Sequence, residues 1–226
     1  MSLSAKSDIK TENWPRGLPG TVNESALKRV FDVTLSGIGI LVSTPLWFLF
    51  GVLVKAEDRG PIFYAQDRVG KHGRLFRSLK FRSMIQDADR NYGPLQASLH
   101  DPRITRIGGF LRATAMDELP QLWNIFIGDM SFVGPRALMP NEIEIAGDGS
   151  VISLEEIPGY QKRHMVRPGL TGIAQIYASR DIPRKNKFRY DLLYIRKQSF
   201  WLDVRLVLLS FWISFRGRWE SREDKF

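Results

Sequence analysis

The sequence predicts an α+β protein, mainly helical, with one short β-hairpin in its globular part and an apolar helix near either end. Three observations carry that prediction. An uncharged run, "VTLSGIGILVSTPLWFLFGVLV", covers Val33–Val54. Two strand-like runs, "PIFYAQ" (61–66) and "RLFRSLKF" (74–81), are split by the turn-forming "DRVGKHG". Apolar residues recur at three-and-four spacing around Pro120 and again from Phe200 onward. With 226 residues and 43% hydrophobic content, the chain can bury a sizeable core and still carry an appendage.

Residues 1–26 are polar, contain Gly and Pro and lack apolar periodicity, so they read as a loosely ordered tail. Residues 27–57 form the apolar helix. Its uncharged core of 22 residues is long enough to span a bilayer, and a single transmembrane anchor is the ordinary reading. Two features favour a bent helix that enters and leaves one leaflet. Lys28 and Arg29 precede the run and Lys55, Arg59, Arg68 and Lys71 follow it, so the positive-inside bias gives no orientation. Pro45, preceded by Ser43 and Thr44, removes a backbone bond near the middle, and nearby hydroxyls can satisfy freed carbonyls. The sequence physics leaves both readings open. No signal peptide is visible, because the first apolar run starts about thirty residues in without a small-residue cleavage pattern.

The globular part covers residues 58–198. After the hairpin, Ser83–Tyr92 reads as a short helix, and Asp101–Arg103 and Gly108-Gly109 are turn-rich. Residues 199–219, "SFWLDVRLVLLSFWISFRGRW", place Phe200, Val204, Leu208, Phe211 and Phe215 at helical spacing. Asp203 and Arg205 make it a poor spanning segment. Trp201, Trp212 and Trp219 with Arg216 and Arg218 favour an amphipathic helix lying in a membrane interface over a buried core helix. Residues 220–226 are a short tail.

The formal net charge is +9, and residues 184–226 hold 11 Lys+Arg against 5 Asp+Glu. A basic balance suits nucleic acid, anionic lipid or phosphorylated small molecules. Nucleic acid is disfavoured because the aromatics cluster in apolar stretches, not among Lys and Arg as stacking platforms would. The absence of cysteine excludes disulfides, thiolate metal sites and a Cys nucleophile. His72, His100 and His164 are too scattered for a zinc site.

The stretch 112–136, "RATAMDELPQLWNIFIGDMSFVGPR", sets two acids side by side, Asp117 and Glu118, ahead of Leu119-Pro120. Proline is tolerated in a first helical turn, so the acids fall at a helix start, with Leu119, Leu122, Trp123 and Phe126 as its buried stripe. An isolated pair there is ordinarily an N-cap. Its company points further. Lys80, Arg82, Arg112, Arg136 and Arg167 sit in the turn-flanked phrases "LKFRSM", "FLRATAMDE", "VGPRA" and "VRPGLTG". Each alone reads as a solvated base. Together they suit a polyanion, since guanidinium groups grip phosphate bidentately. Two carboxylates facing a diphosphate need a divalent cation between them, and Mg²⁺ is the hard, oxygen-seeking ion for that task.

The phrases "PIFYAQDRVGKHGRLFRSLKFRSM", "LRATAMDELPQLWNIFIGDMSFVGPR", "RPGLTGIAQ" and "FRYDLLYI" resemble, in consistent order over residues 27–219, the bacterial sugar transferases of the monotopic phosphoglycosyl transferase superfamily. These are also called polyprenyl-phosphate hexose-1-phosphate transferases. The resemblance implies transfer of a sugar 1-phosphate from a UDP-sugar to undecaprenyl phosphate with release of UMP, an early membrane step of exopolysaccharide, O-antigen, capsule or glycoprotein glycan assembly. It implies a re-entrant helix broken at Ser43-Thr44-Pro45, where family members carry Ser-Pro or a similar pair. A catalytic domain on the cytoplasmic face of the bacterial inner membrane and contact with anionic lipids follow from it, and homo-oligomers stay open.

By the same resemblance Asp117 is the nucleophile and forms a covalent phosphosugar–aspartyl intermediate. Glu118 helps hold Mg²⁺ (or Mn²⁺) or handles the acceptor's proton, and Lys80, Arg112 and Arg136 bind phosphate oxygens. The phrase Gly-Pro-Arg-Pro, frequent in the family, is here Gly134-Pro135-Arg136-Ala137, a departure expected to loosen the loop that carries Arg136. The chain resembles a free catalytic unit without the additional N-terminal modules of larger members. The rival readings are a catalytically silent, membrane-tethered scaffold of the same fold and, less in keeping with the aromatics, a nucleic-acid binder.

Overall fold

A computed structural model describes residues 24–86, 101–145, 149–179 and 182–216. Nearly all of the expected N-terminal tail and the whole C-terminal one lie outside these residues. The first helix, α1, runs from Ala26–Asp58 with Pro45 inside it and Ser25 as its N-cap, accepting from the Lys28 amide at 3.1 Å. At 1.5 Å per residue it is about 50 Å long. The Thr44 hydroxyl donates to the Ile40 carbonyl at 2.8 Å and Ser43 reaches the same oxygen at 3.5 Å, so both hydroxyls back-bond one turn above the proline. Large apolar side chains on the middle of α1 face outward, with Leu41 76% and Phe48 77% exposed.

Both ends of α1 are tied to the globular part. Near its start, the Arg29 guanidinium donates to the Ile125 and Phe126 carbonyls at 2.8 Å each. Buried Asp32 accepts from the Ser131 hydroxyl and the Phe132 amide, each at 3.1 Å. At its end Glu57 accepts from the Arg106 and Ile107 amides at 2.7 and 3.2 Å, capping the next helix from outside.

The hairpin pairs β1 (Phe63–Val69) with β2 (Leu75–Phe81) in antiparallel register from Phe63↔Phe81 to Val69↔Leu75. This matches the strands read from the sequence. The expected helix over Ser83–Tyr92 does not form where it is described. Instead Ser83 and Ile85 exchange backbone bonds with Thr105 and Arg103, and Met84 bridges to Ile104. The remainder of that stretch lies outside the described residues.

The chain continues through α2 (Arg106–Ala113), a single 3-10 turn at Met116–Glu118, and α3 (Gln121–Ile127). Next come β3 (Ser131–Val133), the β4–β5 hairpin (Ile143–Ile145 and Val151–Ser153) and α4 (Tyr160–Arg163). It ends with β6 (Gly169–Thr171), α5 (Ile173–Tyr177), α6 (Arg184–Lys197) and α7 (Phe200–Phe215). Strand β6 lies parallel to β3, so among the described residues there are three two-stranded sheets.

The main core gathers Phe76, Leu122, Ile125, Phe132, Tyr194, Leu206 and Ile213 from five different elements, with Phe31, Leu35 and Ile40 of α1 packed on it. Helix α7 buries Asp203, Leu206, Val207 and Ile213 and turns Trp201, Leu208, Phe211 and Phe215 outward, so it presents apolar side chains on both sides.

Candidate active site

The acid pair is placed by a reversal between α2 and α3. Thr105 caps α2 through the Gly108 amide at 3.0 Å. Gly108 lies against the backbone that follows β2, where a Cβ would come within 2.0 Å of the Ser83 carbonyl oxygen. Ala115 then takes a left-handed conformation (φ 58°), a strain usually left to glycine, and the chain turns back into Met116–Glu118. Neither acid caps a helix. They stand in the 3-10 turn, 7% and 9% exposed, and Pro120 immediately precedes α3.

Helix α3 fixes the acids against the hairpin by a side chain that apolar spacing does not reveal. Asn124 is buried and behaves as a strand partner for the edge of β2. Its Oδ1 accepts from the Leu79 amide at 3.0 Å, and its Nδ2 donates to the Arg77 carbonyl at 2.8 Å. The expected stripe is corrected accordingly. Leu122 and Ile125 face the core, whereas Trp123 and Phe126 are 46% and 39% exposed and stack with ring centroids 5.8 Å apart. With Asn124 directed at β2, the aromatic pair falls on the outer face.

Lys80, between Leu79 and Phe81 on β2, points at the acids. Its Nζ is 2.5 Å from Glu118 Oε1 and 3.9 Å from Asp117 Oδ2, and Arg136 Nη2 is 3.8 Å from the same Glu118 oxygen. Burial by itself would push the Glu118 carboxyl up. Lys80, Arg136 and Arg68 outweigh it and hold the group down at about 2, so Glu118 is ionised at neutral pH.

The loop carrying Arg136 is bound along its whole backbone. The Val133 carbonyl accepts from Lys28 Nζ and the Tyr194 hydroxyl, each at 3.1 Å. The Gly134 carbonyl accepts from Gln175 Nε2 at 3.4 Å and that of Pro135 from the Gly169 amide at 2.9 Å. Arg163 Nη2 donates to the Arg136 carbonyl at 2.6 Å, Arg68 Nη1 to that of Ala137 at 3.2 Å, and the Val69 amide to that of Leu138 at 2.9 Å. Six consecutive carbonyls are thus held from six directions, and Arg163 is itself locked by Asp191 at 2.9 Å. Gly134 and Gly169 permit the close approach, since a Cβ on Gly169 would lie 2.0 Å from the Gly134 nitrogen. Alanine in place of the family's proline therefore does not leave this loop loose.

Of the seven candidate residues, the structure brings Asp117, Glu118, Lys80 and Arg136 together. Arg112 lies in the last turn of α2, five residues before Asp117, and is half-buried. Two other candidates lie away from this cluster. Strand β2 ends at Phe81, so Arg82 leaves the hairpin face and ion-pairs with Asp58 at the C-terminus of α1. Arg167 sits at the far end of α3 from the acids, where it donates to the Gly128 carbonyl at 2.8 Å and pairs with Glu24. Sequence reasoning missed Asn124, Arg163 and Arg68. Arg68 was readable from period-two alternation, because Tyr64, Gln66 and Arg68 share one hairpin face with Lys80 and Ser78.

The residues fit a divalent cation in one particular way. Asp117 and Glu118 offer adjacent buried carboxylates, yet no group of three His, Cys, Asp or Glu suited to a metal occurs among the described residues. Such an ion would complete its shell with phosphate oxygens and water, as Mg²⁺ does in phosphate-processing sites.

The chain matches the family described as bacterial sugar transferase over residues 23–217. It is 41% identical over 188 residues to the undecaprenyl-phosphate glucose phosphotransferase of Komagataeibacter xylinus, covering 81% of this chain and 35% of that protein. It is 40% identical over 184 residues to the UDP-N-acetylgalactosamine-undecaprenyl-phosphate N-acetylgalactosaminephosphotransferase of Aeromonas hydrophila, covering 80% of this chain and 42% of that one. It is also 40% identical to the exopolysaccharide production protein PSS of Rhizobium leguminosarum bv. phaseoli, covering 80% of this chain and 91% of that protein. The chain thus spans less than half the length of the first two relatives and most of the third. On the family match and these identities, the chain belongs to the bacterial sugar transferase family.

Proposed function

We propose that this protein transfers a sugar 1-phosphate from a UDP-sugar to undecaprenyl phosphate and releases UMP, opening the assembly of a surface glycan on a lipid carrier. One observation carries the reading: two adjacent, buried carboxylates held by Lys80 and Arg136 beside a helix whose apolar surface is open. The printed names of the relatives support the acceptor, and the cationic rim supports a diphosphate donor.

In the first half-reaction a carboxylate oxygen of Asp117 attacks the β-phosphorus. The bond from that phosphorus to the bridging oxygen breaks, and UMP leaves with the electron pair. In the second, an oxygen of undecaprenyl phosphate attacks the same phosphorus and the Asp117 carboxylate is released. Attack by one anion on another is electrostatically opposed, so charge must be neutralised before the bond forms. Lys80 and Arg136 do so from the protein side. Mg²⁺, or Mn²⁺ in its place, bound at Asp117 and Glu118 would add Lewis-acid stabilisation of the phosphate oxygens.

The proposal includes a re-entrant α1, with the catalytic part on the cytoplasmic face of the inner membrane. The bonds at both ends of α1 to one globular body support it, since a spanning helix carries its ends to opposite sides. Trp201, Leu208, Phe211 and Phe215 of α7 would lie in the interface beside anionic lipid.

The test is UMP release by purified protein given undecaprenyl phosphate and a panel of UDP-sugars, with Asp117→Asn as control. At least one sugar is expected to turn over, and the variant to be inactive but still membrane-bound. Normal turnover by the variant refutes the nucleophile. No turnover with any sugar favours the silent scaffold. Tags at both termini are expected to be shielded from a periplasmic labelling reagent, and labelling of the N-terminal tag overturns the re-entrant helix.

A further inference from the structure

Charge around the acid pair does not balance. Lys80 and Arg136 already face Asp117 and Glu118. Arg68 is a third cation on the same hairpin face, and it is half-buried. Its guanidinium donates to two neutral oxygens, the Ala137 carbonyl at 3.2 Å and Gln66 Oε1 at 2.5 Å. No carboxylate lies within ion-pair distance of it among the described residues. The other buried bases that hold this loop are each neutralised, Lys28 by Asp203 at 2.7 Å and Arg163 by Asp191 at 2.9 Å. Arg68 has no such contact pair, since Glu142 and Glu118 act on it only from beyond ion-pair distance, although its hydrogen bond is one residue from Arg136. Burial and the adjoining Arg136 guanidinium pull Arg68 down to about 10, which leaves it cationic at neutral pH. Two like charges kept close in a partly desolvated place are unfavourable until an anion joins them.

We propose that Arg68 is a further anion-binding residue of this site and grips the diphosphate of the nucleotide donor together with Arg136. The inference rests on the donor reading given above. Gln66 orients the guanidinium, being itself held through Nε2 to the Met139 sulfur at 3.1 Å. The pinned Ala137 carbonyl fixes its distance from the Arg136 loop. Arg68 thus faces the phosphates with its remaining donors, as a planar fork suited to two oxygens.

The test uses the full chain in detergent or nanodiscs, with UDP as competitive probe and UDP-sugar as substrate. For Arg68→Gln, the UDP inhibition constant and the KM for UDP-sugar are expected to rise about 10- to 100-fold, the range for a lost charge-assisted bond. Arg68→Lys keeps the charge without the fork and is expected to fold as the wild type, with both constants raised about three- to tenfold. Wild-type constants in either variant overturn the proposal. So does a fall in kcat at constant KM and constant UDP inhibition, which would mean that Arg68 only pins the Ala137 carbonyl. Failure of the parent reading looks different: the wild-type protein would then release no UMP and bind no UDP.

Discussion

Replacing Lys80 by Met removes the closest charge from Glu118 while keeping the length of the side chain. Moving Glu118 from its usual 4.5 to about 2 corresponds to on the order of 3 kcal/mol in favour of the charged form, after burial has acted against it. Lys80 at 2.5 Å supplies the nearest share, and Arg136 at 3.8 Å and Arg68 remain in the variant. We therefore expect Lys80→Met to cost about 2–3 kcal/mol at pH 7, a drop of roughly 4–10 °C in melting temperature for a chain of this size. The pH dependence is the sharper readout. In the wild type the depressed carboxyl contributes stability that is present above 4.5 and lost as pH falls from 4.5 toward 2. In the variant the carboxyl rises back toward 4.5, with Arg136 and Arg68 still opposing burial, so most of that contribution is gone. The deficit is then constant above about 4.5 and shrinks as pH falls from 4.5 toward 2. Melting curves from pH 3 to 8 at fixed ionic strength check this. A variant whose deficit is the same at every pH, or absent, refutes the electrostatic account of the acid pair.

Asn124→Ala leaves the Leu79 amide and the Arg77 carbonyl without their partner, and we expect a loss of about 2–4 kcal/mol and a slower first half-reaction, read by melting and single-turnover UMP release. Ala115→Gly should raise stability by up to about 1 kcal/mol, and Ala115→Val should lower it by about 1–2 kcal/mol with reduced turnover, because only glycine meets φ 58° without strain. Lys28→Met strands the buried carboxylates of Asp32 and Asp203 and should cost about 3–5 kcal/mol, part of which Lys28→Met combined with Asp203→Asn recovers in a double-mutant cycle.

Much of the fold, and Lys80 and Arg136 beside the acid pair, were legible in the sequence, for definable reasons. Alternation and turn residues gave the hairpin, and the uncharged run Val33–Val54 gave the middle of α1, whose ends at Ala26 and Asp58 lie beyond it. The acid pair stood out because like charges side by side need an explanation. What escaped was set by tertiary hydrogen bonding. Asn124 breaks an apolar stripe that spacing alone assigns to Trp123 and Phe126. Ser83–Ile85 is pulled into extended pairing by Arg103–Thr105, a contact no local propensity encodes. Arg82 and Arg167 carry the right chemistry, but the end of β2 and the length of α3 deliver them to Asp58 and Glu24. Ala137 in place of proline was expected to loosen its loop because the six carbonyl contacts from Val133 to Leu138 are set by tertiary structure.

The most direct measurement is intact-protein and peptide mass spectrometry after mixing enzyme with UDP-sugar and no acceptor. The account predicts one burst of UMP per active site and a gain of one sugar phosphate on the peptide that contains Asp117, discharged when undecaprenyl phosphate is added. UMP that forms only once both substrates are present, with the protein's mass unchanged throughout, would contradict it.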